Sequence, residues 1–167
     1  MAKKTQFKVD DYVVYPTHGV GRIVNEETQN IGDIELRVFV INFEKDKMTL
    51  RVPVNRAAAA GLRHISTAED IAKAFDTLKG RAKKSRGMWS RRAQEYEAKI
   101  NSGDLISIAE VVRDLHRNVD QAERSYSERI IYESALGRLI GELAAARAID
   151  TKAAEDELLQ ILNVQAA

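Results

Sequence analysis

The sequence predicts an α+β protein in two parts: a small antiparallel β-barrel over residues 1–65, then a compact bundle of about five α-helices over 66–167. Three observations lead there. The apolar residues from 7 to 53 cluster in short runs rich in Val, Ile, Tyr and Phe, whereas from Ser66 onward they recur at helical spacing. Turn residues break the first part at short intervals and the second part only between long amphipathic segments. The composition, 44% hydrophobic and 31% charged, suits a folded, helix-rich chain.

In the first part, "DYVVYP", "GRIVNEETQ", "ELRVFVINF" and "MTLRVPV" read as strands. "THGVG" (17–21), "NIGD" (30–33) and "EKDK" (44–47) separate them, with residue types that tolerate tight turns. An Ala-rich turn of helix at 55–60 precedes a short fifth strand in "LRHIS". Four or five short antiparallel strands in about sixty residues suggest a barrel of the SH3 or Tudor type. In the second part, Ser66 and Glu69 form a capping box before Ile71, Ala74, Phe75 and Leu78, with Gly80 as the stop. A second helix begins near 87–89 and ends at "NSGD", which offers a glycine C-cap and an aspartate N-cap. Ile108, Val111, Val112 and Leu115 mark the third helix. Ser125 and Glu128 cap a fourth, with Tyr132, Leu136, Leu139, Ile140 and Leu143 inward. Asp150 opens the last, which buries Ala154, Leu158, Ile161 and Leu162.

Several functional classes are disfavoured. No cysteine is present, so disulfides, thiolate nucleophiles and Cys-ligated zinc are excluded, as suits a reducing cytoplasm. No run reaches transmembrane length, and the start lacks an apolar leader core, so a cytoplasmic protein without membrane contact is expected. His18, His64 and His116 stand far apart with no metal-ligand spacing, and "HGVG" precedes a strand rather than a helix, which cannot cradle a phosphate. No GxSxG motif occurs. An enzyme is not expected, nor are a metal, a cofactor or a small-molecule substrate.

The segment that invites a function is "KKSRGMWSRRAQ". It holds the only Trp, and from Lys79 to Arg92 there are seven basic residues and no acidic one, while the whole chain carries a net charge of only +1. Two readings compete. Trp89, Ala93, Tyr96 and Ile100 fall on one helical stripe, so the indole can be the end of a core face with solvated cations around it. Against this, Trp89 opens its helix, its helical neighbours Ser85, Arg86 and Arg92 are small or charged, and cations at a helix N-terminus oppose the macrodipole. Lys and Arg around one aromatic suit duplex DNA, with the cations on phosphates and the ring wedged at an unstacking step. Without Asn or Gln readers at helical spacing, little sequence preference is expected.

"FKVDDYVVYPTHGVGRI", "LRVPV", "WSRR" and "SGDLISIAEVVRDLHR", in this order along nearly the whole chain, resemble the CarD/CdnL family of bacterial transcription regulators. The resemblance implies a Tudor-like domain over 1–65 that binds the β subunit of RNA polymerase, like the polymerase-binding module of transcription-repair coupling factor. It also implies a helical domain over 66–167 that contacts promoter DNA at the upstream edge of the melted bubble. The family's minor-groove Trp then corresponds to Trp89 and its adjacent basic pair to Arg91 and Arg92. Arg51 matches a basic position of the family's polymerase-binding surface. Gln29 stands where some members carry a second Arg, which removes a salt bridge. Lys83, Lys84 and Arg86 are additional phosphate-contact candidates that the family pattern does not demand. The C-terminal Ala-Ala resembles tails read by ATP-dependent proteases. A monomer is expected. The competing reading is a general architectural DNA-binding protein that acts without polymerase.

Overall fold

The structure, a computed structural model, describes residues 7–80, 88–116 and 126–166. By backbone contacts the chain separates into two compact units, Met1–Ile65 and Ser66–Ala167. No helix among the described residues is long and apolar enough to cross a membrane.

The first unit is one antiparallel sheet of five strands: β1 (Tyr12–Tyr15), β2 (Gly19–Ile31), β3 (Ile34–Phe43), β4 (Met48–Pro53) and β5 (Arg63–His64). Their spatial order is β4-β3-β2-β1-β5. The expected barrel is thus an open ladder with β4 and β5 at its two ends. The reason is local: β5 has only two residues, which pair with Val13 and Val14, and β4 ends in Pro53, which has no N–H to donate. Val13, Ile23, Phe39, Ile41, Phe43 and Val52 form the apolar face, joined by Ala57 and Leu62 from the connection before β5. Alternation puts Arg51, Glu27 and Gln29 on the opposite face. Gly21 is demanded by this packing, because a Cβ there would lie 2.7 Å from Ile41 Cγ2 and 2.8 Å from Phe43 Cε1.

The second unit is a bundle of α1 (Ala68–Lys79), α2 (Trp89–Asn101), α3 (Leu105–His116), α4 (Tyr126–Arg147) and α5 (Thr151–Ala166). The apolar stripes read from sequence face its core, with Phe75, Leu136, Ile140 and Ile161 partly buried at its margin. One cap differs from expectation. Thr67, not Ser66, accepts the Asp70 N–H at 3.2 Å. The Ser66 N–H is instead taken by Glu142 Oε2 at 2.9 Å, and that buried carboxylate ties the approach to α1 onto α4. Asp104 caps α3 by accepting from the Ser107 N–H at 3.0 Å, after Gly103 turns the chain at φ +73°. Asp150 caps α5 through the Ala153 N–H at 2.7 Å. Ser125 lies outside the described residues, so its expected cap is not described.

Gly21→Ala is expected to destabilise the sheet unit by about 1–3 kcal/mol, since Ile41 and Phe43 are already close-packed. Chemical denaturation followed by far-UV circular dichroism checks this, and an unchanged midpoint would refute the close approach.

Candidate functional site

The start of α2 breaks a local rule. Its N-cap is Met88, which has no side-chain acceptor, and no acidic residue occupies the first turn. The helix opens with Trp89, Ser90, Arg91 and Arg92, so this N-terminus gathers positive charge where a helix ordinarily offsets it.

Trp89 stands at the edge of the core. It is half-buried and packs against the helical core with its ring 6.2 Å from that of Tyr96, as the stripe requires. Its indole N–H donates to Ser127 Oγ at 2.6 Å, which joins the first turn of α2 to the first turn of α4. The Arg92 guanidinium lies 5.4 Å from the Trp89 ring centroid, within cation–π range. Its Nε is buried with no hydrogen-bond partner among the described residues. Arg92 is therefore a half-buried cation held by the ring, while Arg91 is exposed. The structure brings Arg92 onto Trp89, whereas Arg91 is exposed two residues on; Lys83, Lys84 and Arg86 lie outside the described residues. Ala167, the last residue of the Ala-Ala tail, also lies outside them.

On the sheet unit, Arg51 sits on β4 opposite Val40, and Glu27 sits on β2 opposite Val38. Their side chains meet across β3, with Nε 3.3 Å from Oε2, while the Arg51 side chain stays 51% exposed. Gln29 is exposed on the same face, two residues beyond Glu27. The spacing of four residues from the row of Arg51 puts it roughly 13 Å further along the strands. Arg51 and Gln29 thus share a face without being neighbours. Glu27 was not among the residues singled out from sequence, and an ion pair between positions 24 apart has no local signature.

The three histidines have structural surroundings. His18 turns after β1 and stacks on Tyr15 at 5.5 Å, near Phe43 at 5.4 Å. His64 lies 4.6 Å from the Phe7 ring. His116 is buried, with Nδ1 2.7 Å from Tyr132 Oη and Nε2 3.2 Å from Asn163 Oδ1. Among the described residues no three His, Asp or Glu side chains converge as a metal site.

Ser127→Ala is expected to leave the fold intact, cost about 0.5–1.5 kcal/mol, and loosen the indole. The emission of this lone tryptophan then moves to the red and quenches more readily. An unchanged spectrum and quenching constant would mean that the Trp89–Ser127 bond does not position the ring.

Comparison with known proteins places this geometry. Residues 7–66 match the family model described as the CarD-like/TRCF RID domain, and residues 73–159, more than half of the chain, match that of CarD, C-terminal domain. The chain is also 26% identical over 146 residues to a Bacillus subtilis (strain 168) protein named "Putative transcription factor YdeB", across 87% of this chain and 95% of that protein. With one unit matching each half of the family's architecture, the chain belongs to the CarD family.

Proposed function

We propose that this protein is a transcription regulator that binds the β subunit of RNA polymerase through its sheet unit and steadies the open promoter complex through the start of α2. The observation that carries the DNA part of this reading is the arrangement at Trp89. A half-buried indole is pinned at its N–H and covered by Arg92, while Arg91 is exposed in the same first turn of an uncapped helix N-terminus. A rigid aromatic with flanking cations has what a minor-groove wedge needs: apolar surface against an unstacking base step and positive charge for the adjacent phosphates. Lys83, Lys84 and Arg86, close by in sequence, add candidate phosphate contacts.

The polymerase part rests on β4. It is an end strand of the sheet, so its outer main-chain groups are available for pairing with a partner's strand. Arg51 on this strand is half-exposed, and its bond to Glu27 is a surface ion pair of the kind worth only ~0.2–1 kcal/mol. Exchanging Glu27 for a carboxylate on the partner is therefore inexpensive. Gln29 brings no charge to the same face, so Arg51 is its main electrostatic contact in this reading.

The two parts depend on each other. Docking on polymerase raises the effective concentration of the helical unit over the promoter, so weak DNA contacts suffice. A preference of ~1.4 kcal/mol for open over closed DNA shifts that equilibrium about tenfold.

Two expected outcomes test the reading. With purified polymerase, the wild-type protein lengthens open-complex lifetime, and Arg91→Glu, which is exposed and leaves the core untouched, cuts that gain roughly fivefold. Trp89→Ala, with its stability measured alongside, abolishes it. If the wild type binds DNA equally well without polymerase and has no effect on lifetime, the protein is an architectural DNA binder instead. Separately, Arg51→Glu weakens binding to the isolated β subunit roughly five- to tenfold. Unaltered affinity would remove Arg51 from the interface.

A further inference from the structure

Two side chains at the starts of α2 and α4 are more exposed than the tryptophan. Met88 is 76% exposed at the N-cap of α2, and Tyr126 is 78% exposed as the first residue of α4. They are the most exposed large apolar side chains among the described residues. Each is the chain neighbour of a member of the Trp89–Ser127 hydrogen bond, and consecutive Cα atoms stand about 3.8 Å apart. The 2.6 Å bond therefore ties together the two helix starts at which Met88 and Tyr126 stand.

The two helices also repeat one pattern. Three residues after Met88 comes exposed Arg91, and three residues after Tyr126 comes exposed Arg129. On α4 that spacing puts Tyr126 and Arg129 on one face, while Met88 precedes α2 as its N-cap. Ile130, 45% exposed, extends the apolar surface of α4. Across the first turns of both helices there is a single carboxylate, the half-buried Glu128. A cap position ordinarily taken by Ser, Thr, Asp or Asn has been given to an exposed methionine, and local rules broken in this way gather at functional surfaces.

We infer that Tyr126, backed by Met88, stacks on an unpaired base at the junction of duplex and single-stranded DNA, while Trp89 is the fixed wall behind it. The charges select the occupant. Arg91 and Arg129, both exposed, put a positive charge on the first turn of each helix, which suits phosphates near a splayed base and disfavours an uncharged apolar partner. The freedom of the rings selects the role. Trp89 has its N–H committed, one face covered by Arg92 and its body against the core, so it cannot turn to follow a base. Tyr126 is exposed enough to reorient, and a methionine thioether adapts to whichever base face it meets. This inference rests on the proposed contact with open promoter DNA and adds the residue that touches the exposed base.

The test uses the full chain with polymerase and a promoter carrying 2-aminopurine at the upstream edge of the bubble. Wild type is expected to quench the probe and lengthen open-complex lifetime. Tyr126→Ala retains the fold, loses the quenching and shortens the lifetime roughly fivefold or more, as expected for loss of one base–aromatic stack. Tyr126→Phe, which keeps the ring, behaves as wild type, and Met88→Ala has a smaller effect in the direction of Tyr126→Ala. If wild type prolongs the lifetime and Tyr126→Ala does so equally, the stacking role is overturned while the wider function stands. If wild type has no effect, both fall together.

Discussion

Burial of α3 is the constraint on which the helical unit depends. Leu105, Ile108, Ala109, Val111, Val112 and Leu115 are each no more than 5% exposed, and the helix packs against α1, α2 and α4. A helix apolar around so much of its circumference cannot exist alone in water, so its neighbours must close over it. Its two ends are then pinned by polar groups. Asp104 caps the start, and His116 at the end reaches Tyr132 on α4 and Asn163 on α5. With α3 fixed, α2 and α4 have defined positions on it, and their first turns are brought together.

That meeting of first turns gives the site its character. In isolation the N-terminus of α2 is poorly designed: no cap, no acidic residue, two arginines and an indole. The tertiary structure offsets part of this through Ser127, which satisfies the indole N–H, and through the Trp89 ring, which receives the Arg92 guanidinium. It leaves the rest uncompensated, namely Arg91, Met88 and the free helix terminus. A segment so stabilised on its inner side and so unsatisfied on its outer side is what the proposed contact with DNA draws on.

Much of this was legible from the sequence. The change of period at Ser66, the stripes of all five helices and the caps at Asp104 and Asp150 rest on local rules, because a helix face or a cap is decided within four residues. The stripe Trp89, Ala93, Tyr96 and Ile100 was legible too, and so was the doubt about the indole, since a residue at the end of a stripe is half core and half surface. The capping box failed by one position for a nonlocal reason. Ser66 and Thr67 are both competent caps, and Glu142, 76 residues away, engages the Ser66 N–H. Glu27 and Ser127 escaped notice for the same cause, because their partners Arg51 and Trp89 lie 24 and 38 positions distant.

The sequence by itself determined which segments are strands and helices, which face of each is apolar, where the positive charge collects and, through its motifs, the family. Each is a matter of composition, period or short spacing, expressed within a few residues of where it is written. Only the tertiary structure decided that Arg51 leans on Glu27, and that Trp89 is pinned by Ser127 and Arg92. Those outcomes depend on which distant hydrogen-bond donor and acceptor, or which charge and ring, come within a few ångströms once α3 and the sheet core have been buried. Packing sets that proximity, and no window of the chain contains it.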